Sequence, residues 1–258
     1  MEEKELLTEW DRKLKEVYIE HELTCIAGLK ADYIYNGRQL FSWYHDVVRK
    51  NWIKHNGAFS YFKNVNDLLR CSDTLLFHTA HLFLYAPYID NPLKNAFQIE
   101  GEWVYPNYEN IEGKRYDMFL DTNFQSLYNY WARVGDLIAS FFTELIERKK
   151  VDFARALDVI PSNFHSSENY KWLIDFKNNE YKEFNTKRKL IVHCNSLSTK
   201  RRNDHIGNHM NREAIEEMQK EREFYPEYFK NHIRLSLSGL EKTLLFLEEI
   251  NLVLFKEE

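Results

Sequence analysis

The chain has little of what breaks regular structure or crosslinks a fold. It contains 8 glycines and 5 prolines in 258 residues, which argues against a turn-rich β-fold and favours long helices. Its three cysteines, Cys25, Cys71 and Cys194, are odd in number and share no close spacing. A disulfide framework or a zinc ribbon is therefore not expected, and reduced thiols in a cytoplasmic protein are the simpler interpretation.

Long apolar runs are also missing. No stretch approaches the ~20 apolar residues that a transmembrane helix needs. The acidic residues 1–5 lack the pattern of a signal peptide. We therefore expect a cytosolic protein that does not enter a membrane.

Helical periodicity is what the sequence has in abundance. Apolar residues recur at spacings of three and four along most of the chain, which predicts amphipathic helices. The expected helices cover residues 3–20, 33–52, 64–85, 122–149, 151–159, 166–194 and 211–222, with a final helix starting at Pro226. Residues 97–105 alternate around Gly101, which predicts a small β-hairpin, at most one between residues 95 and 108. The polar, basic residues 195–211 predict a loop.

These elements predict an all-α fold, an antiparallel helical bundle with a helical N-terminal extension. We expect the extension in residues 1–120 and the bundle in residues 121–258. The helices near residues 122, 166 and 226 should form its core.

The charge distribution singles out one segment. The chain carries a formal net charge of -5, yet residues 186–203 contain six Lys or Arg residues and no Asp or Glu. A local cation cluster on an acidic protein indicates a place that accepts phosphate. Within it, Arg188 is followed by four residues and then His193, at the end of a predicted long helix. Arg and His pairs with similar spacing occur elsewhere in the chain, so the basic context, rather than the spacing, distinguishes this pair.

An Arg-x4-His pair at the end of a late helix in an antiparallel bundle resembles the HEPN superfamily (higher eukaryotes and prokaryotes nucleotide-binding domains). The resemblance covers roughly residues 121–254. It implies a homodimeric, metal-independent endoribonuclease without a cofactor, in which each subunit contributes Arg188 and His193. It also implies a role in stress response or phage defence, and leaves open whether an antitoxin or another protein partner exists.

The residue types suit RNA cleavage, because the 2′-hydroxyl is an internal nucleophile beside the phosphorus. His193 can remove or return a proton at that step, and Arg188 can stabilise the negative charge that develops on the phosphate oxygens. We expect the RNA backbone to be guided by the flanking cations, Lys187, Lys189, Lys200, Arg201 and Arg202. The supporting polar residues expected to face the pair are Asn129, Arg133, Asp136 and Asn195.

Two alternatives stay open at this stage. Active HEPN members often have Asn, Asp or His after the motif Arg, whereas this chain has Lys189, so a non-catalytic module that binds RNA, a nucleotide or a protein is the second hypothesis. The third is an unrelated helical scaffold whose basic loop contacts an acidic protein.

Two histidine pairs have a spacing that metal ligands can have. The His78-x2-His81 spacing is common by chance and no carboxylate or Cys completes a ligand set, so core or partly buried structural histidines are expected there. His205 and His209 are expected to be exposed loop residues.

Overall fold

The fold is described from a computed structural model, which covers residues 3–27, 29, 32–54 and 61–255. Helices account for 74% of the structure, which confirms the all-α prediction. The α-helices are α1 (Glu3–Glu20), α2 (Leu40–Lys54), α3 (Tyr61–Tyr85), α4 (Ile111–Ala139), α5 (Phe153–Asp158), α6 (Glu168–Phe176), α7 (Lys182–His193), α8 (Leu197–Asn208) and α9 (Arg212–Leu254). Residues Lys177–Tyr181 form a π-helical turn between α6 and α7.

Two short antiparallel hairpins accompany the helices. Strands β3 (Phe97–Ile99) and β4 (Glu102–Val104) confirm the predicted hairpin. A second hairpin, β1 (Ile34–Tyr35) and β2 (Arg38–Gln39), overturns the limit of one and replaces the first turns of the helix predicted from residue 33. Its turn is Asn36-Gly37, with both φ angles positive, the conformation that tight hairpin turns require.

The chain divides into two compact units. Unit 1 comprises residues 1–23, 76–125 and 186–232, and unit 2 comprises residues 24–75, 126–185 and 233–258. The boundary expected at residue 121 stays a prediction.

Aromatic side chains fill both cores. In unit 1, the buried ring of Phe124 lies 4.8 Å from that of Phe229, centroid to centroid. In unit 2, the fully buried Trp131 packs 4.1 Å from Phe176. A Cβ added at Gly239 would come within 2.2 Å of the Trp131 ring, so this glycine makes room for the indole.

Further predicted helix boundaries were wrong. The helix expected over residues 122–149 is α4, which begins and ends earlier. At its start, Asn110 accepts a hydrogen bond from the Gly113 N–H at 2.8 Å. Just after its end, the Ser140 hydroxyl donates to the Leu137 carbonyl at 2.6 Å. The expected loop over residues 195–211 contains α8. The helices expected over residues 211–222 and from Pro226 are one helix, α9.

The continuity of α9 through Pro226 has a specific cause in unit 1. Proline has no N–H, so the carbonyl four residues earlier, that of Arg222, loses its helical partner. The Tyr116 hydroxyl of α4 donates a hydrogen bond to this carbonyl at 2.5 Å. A side chain from another helix thus satisfies the backbone group that the proline leaves unpaired.

We expect Tyr116→Phe to lower the free energy of unfolding by about 1–3 kcal/mol, because it leaves the partly buried Arg222 carbonyl without a donor. In a Pro226→Ala background the helix recovers its own donor, so Tyr116→Phe should cost much less. Urea denaturation of the four proteins measures this coupling, with the exposed Tyr88→Phe as the control. Equal costs in the two backgrounds would contradict the account.

Candidate functional site

A polar stripe on α4 organises the candidate site in unit 1. Asp117, Asp121 and Gln125 are spaced four residues apart, which places them on one face of the helix. Each contacts a different part of the basic segment, α7 or α8. The stripe was not among the residues predicted from the sequence.

Gln125 holds Arg188. The Arg188 Nε–H donates a hydrogen bond to the Gln125 Oε1 at 3.1 Å, and the arginine is partly buried. The bond fixes the edge of the guanidinium that faces α4. Arg188 therefore belongs to a defined polar contact between α4 and α7.

His193 is the last residue of α7 and its side chain is exposed. The helix stays regular to its end, where the Cys194 N–H donates to the Leu190 carbonyl at 2.9 Å. On a regular helix, positions five apart differ in direction by about 140°. Arg188 and His193 of one chain are thus presented in different directions.

The segment after His193 is helical because polar contacts replace an apolar face. Ser196 caps α8 by accepting a hydrogen bond from the Thr199 N–H at 3.2 Å. The Asp121 carboxylate accepts from the Leu197 N–H at 3.2 Å. Burial raises the pKa of Asp121, and the hydrogen bond from Leu197 opposes that shift. These caps could not be inferred from hydrophobic periodicity, which α8 lacks.

Asp117 is shared by two arginines. Its Oδ1 accepts hydrogen bonds from Arg201 of α8 and, at 3.3 Å, from Arg222 of α9. The side chains of Asp117, Arg201 and Arg222 are 11%, 20% and 12% exposed. Burial lowers the pKa of Arg222, with Asp117 opposing the shift and Arg201 adding to it. One carboxylate therefore neutralises two largely buried cations.

The cations predicted to guide RNA have different surroundings. The Lys187 ammonium lies 5.0 Å from the centroid of the Tyr228 ring, and Lys200 pairs with Asp204 at 3.7 Å. Lys189 and Arg202 are exposed. Arg201, through Asp117, has a structural contact in addition to the predicted RNA-binding role.

The supporting polar residues are distributed over both units. Asn195 is exposed in unit 1, whereas Asn129, Arg133 and Asp136 belong to unit 2. There the Arg133 guanidinium donates to Asp136 at 2.6 Å. Asn129 and Arg133 continue the four-residue spacing of the α4 stripe. The predicted residues Asn129 and Arg133 thus have the same spacing as the stripe, but the residue that contacts Arg188 is Gln125, one helical turn before Asn129.

The remaining histidines have structural partners. Burial lowers the pKa of His78 to about 4, and the His81 ring stacks on Phe119 at 4.3 Å. His205 was expected to be an exposed loop residue, but it is buried in α8, where its Nε2 donates a hydrogen bond to the Tyr105 carbonyl at 2.7 Å. His209 is exposed, as expected, but it caps the C-terminal end of α8. Within the described residues, no group of three or more His, Cys, Asp or Glu side chains could hold a metal ion.

No helix in the described part of the chain is both long and apolar enough to cross a membrane.

Comparisons with known protein families, with curated proteins and with solved structures found no match to this chain.

Proposed function

We propose that the protein is a HEPN-like, metal-independent endoribonuclease that acts as a cytoplasmic homodimer. The observation that carries the proposal is the environment of α7: Arg188 is fixed by Gln125, His193 is exposed at the helix end, and residues 186–203 contain no acid. Such a surface suits the phosphate backbone of RNA.

In the proposed reaction, the 2′-oxygen attacks the neighbouring phosphorus as His193 removes the hydroxyl proton. The bond from phosphorus to the 5′-oxygen breaks, and a second His193, from the other copy, protonates that oxygen. Arg188 stabilises the negative charge that develops on the phosphate. The products are a 2′,3′-cyclic phosphate and a 5′-hydroxyl, so protons and bonds balance without a metal ion. The test is cleavage of single-stranded RNA in EDTA by the wild type and by His193→Ala.

The proposed reaction requires a second copy of the chain. Each copy supplies one His193, so two copies are needed to bring one histidine that accepts a proton and one that donates a proton to the same phosphate. The aromatic side chains of residues 122–149 do not supply the contact between copies, since Trp131 of α4 and Phe142, which follows α4, are both buried within the chain itself. Support comes instead from Leu190 and Val192, which flank the site and are 53% and 50% exposed.

We expect sedimentation velocity to show a dimer at about 10 µM, a concentration at which a specific interface of micromolar affinity or better is occupied. Val192→Asp should yield a monomer and lose cleavage together with the dimer, because it places a charge in the apolar contact. Ile19→Asp, at an exposed position of α1, is the matched control and should stay dimeric. A wild type that stays monomeric at this concentration would count against the composite site.

The second candidate is a non-catalytic module that binds RNA or a nucleotide. The divergence of Arg188 and His193 on a regular α7 favours it. Wild-type protein that binds RNA in EDTA without cleaving it would select this candidate.

A further inference from the structure

A pocket in unit 1 is lined by neither Arg188 nor His193. It is open to solvent, and the space between its walls measures about 360 Å³ when the open part is included. Its walls come from the segment before α4, from the first turns of α4, from α8 and from α9. The residues that matter for its chemistry are Asp90, Asn107, Tyr108, Arg201, Arg202 and Arg222.

Three arginines and three carboxylates line the pocket, and Lys114 beside it adds a fourth cation. Arg201 and Arg222 share the single carboxylate of Asp117, and Arg202 makes no ion pair with any residue that the structure describes. Of the two other acids in the wall, Glu109 lies 3.5 Å from Lys114. Three arginines therefore face the charges of Asp117 and Asp90.

Hydrogen bonding in the wall is also incomplete. The Nε–H of Arg222 is buried without an acceptor, and the Oδ2 of Asp90 is buried without a donor. The two groups do not satisfy each other. A ligand that brings both negative charge and hydroxyl donors would complement such a wall.

These features fit a phosphorylated sugar. Arginine forks bind phosphate oxygens in pairs, a carboxylate such as Asp90 accepts from sugar hydroxyls, and the exposed ring of Tyr108 offers a face for a base. We propose that this pocket binds the terminal 5′-phosphate of a ribonucleotide, carried either by a free nucleoside monophosphate or by an RNA end. The proposal does not depend on the ribonuclease activity, since neither Arg188 nor His193 takes part.

Calorimetric titration of the full-length protein with adenosine 5′-monophosphate, adenosine and inorganic phosphate tests the proposal. We expect the monophosphate to bind at least about tenfold more tightly than adenosine, since a charge-assisted bidentate contact contributes more than one decade of affinity. Inorganic phosphate should bind more weakly than the monophosphate, because it lacks the sugar and the base.

Arg202→Gln is the decisive variant. The side chain is exposed and without an ion pair, so the melting temperature should not change, while monophosphate affinity should fall about tenfold. Arg70→Gln, at an exposed arginine of α3 outside the pocket, should bind as the wild type does. Equal affinity of Arg202→Gln and wild type would overturn the proposal, as would a wild type that binds the monophosphate no better than adenosine.

Short RNAs with and without a 5′-phosphate separate the two sources. Tighter binding of the phosphorylated RNA than of the unphosphorylated RNA assigns the pocket to RNA ends, and equal binding of the two RNAs assigns it to free nucleotides. The readout is binding, with His193→Ala protein in all RNA titrations to prevent cleavage. Failure here is therefore distinct from failure of the ribonuclease proposal, which is measured as cleavage.

Discussion

His193→Ala is expected to lower the rate of RNA cleavage by a factor of about 10²–10⁴, because it removes the group that transfers the proton. The side chain is exposed at the end of α7, so the circular dichroism spectrum and the melting temperature should be those of the wild type. Single-turnover cleavage of a labelled single-stranded RNA measures the rate.

Matched variants separate this effect from general damage and from a contaminating nuclease. His209→Ala removes another exposed histidine of unit 1 and should cleave as the wild type does. Arg188→Lys keeps the charge but loses the guanidinium fork and its bond to Gln125, so it should lose much of the rate. If His193→Ala, purified identically, retains the wild-type rate, His193 is not part of the mechanism.

The largest loss of stability is expected from Asp117→Asn. The substitution removes the only negative charge that contacts Arg201 and Arg222 in the described structure, and leaves both cations largely buried. Breaking a buried ion pair in this way typically costs about 3–5 kcal/mol. Urea denaturation should show a loss of that size in the free energy of unfolding.

Two comparisons make the Asp117 prediction specific. Asp204→Asn breaks the exposed pair with Lys200 and should change stability little, since exposed pairs contribute little. Replacing Arg201 by Gln in the Asp117→Asn background should recover part of the loss, because one uncompensated cation is removed. An unchanged unfolding midpoint for Asp117→Asn would contradict the shared-carboxylate arrangement.

The fold class was predictable because helical periodicity is a local property. Apolar spacing located α1, α3 and the long stretch that ends with α7, and alternation around Gly101 located the β3–β4 hairpin. The Asn36-Gly37 turn was also predictable, since this dipeptide favours tight hairpins, although the apolar spacing around it is typical of a helix.

The features that could not be predicted from the sequence depend on contacts between residues far apart in the chain. Pro226 predicts a helix start, and only the hydrogen bond from Tyr116 shows why α9 continues through it. Likewise α8 has no apolar face, and its start is fixed by Ser196 and Asp121.

The sequence predicted which residues carry the chemistry of the candidate site, but not all of the residues that contact them. The cation cluster located Arg188 and His193 on α7. Gln125 was missed because its contact joins two positions 63 residues apart, although its four-residue spacing from Asn129 was a signal for the correct face of α4.

The most direct test of the ribonuclease proposal uses a short RNA with one preferred cleavage position, prepared with and without a 2′-deoxy substitution there. In EDTA, wild-type protein should cleave the unmodified RNA to a 2′,3′-cyclic phosphate and a 5′-hydroxyl, and should leave the substituted position intact. Cleavage at the 2′-deoxy position, or products with 5′-phosphate ends, would contradict attack by the 2′-oxygen and with it the role proposed for Arg188 and His193.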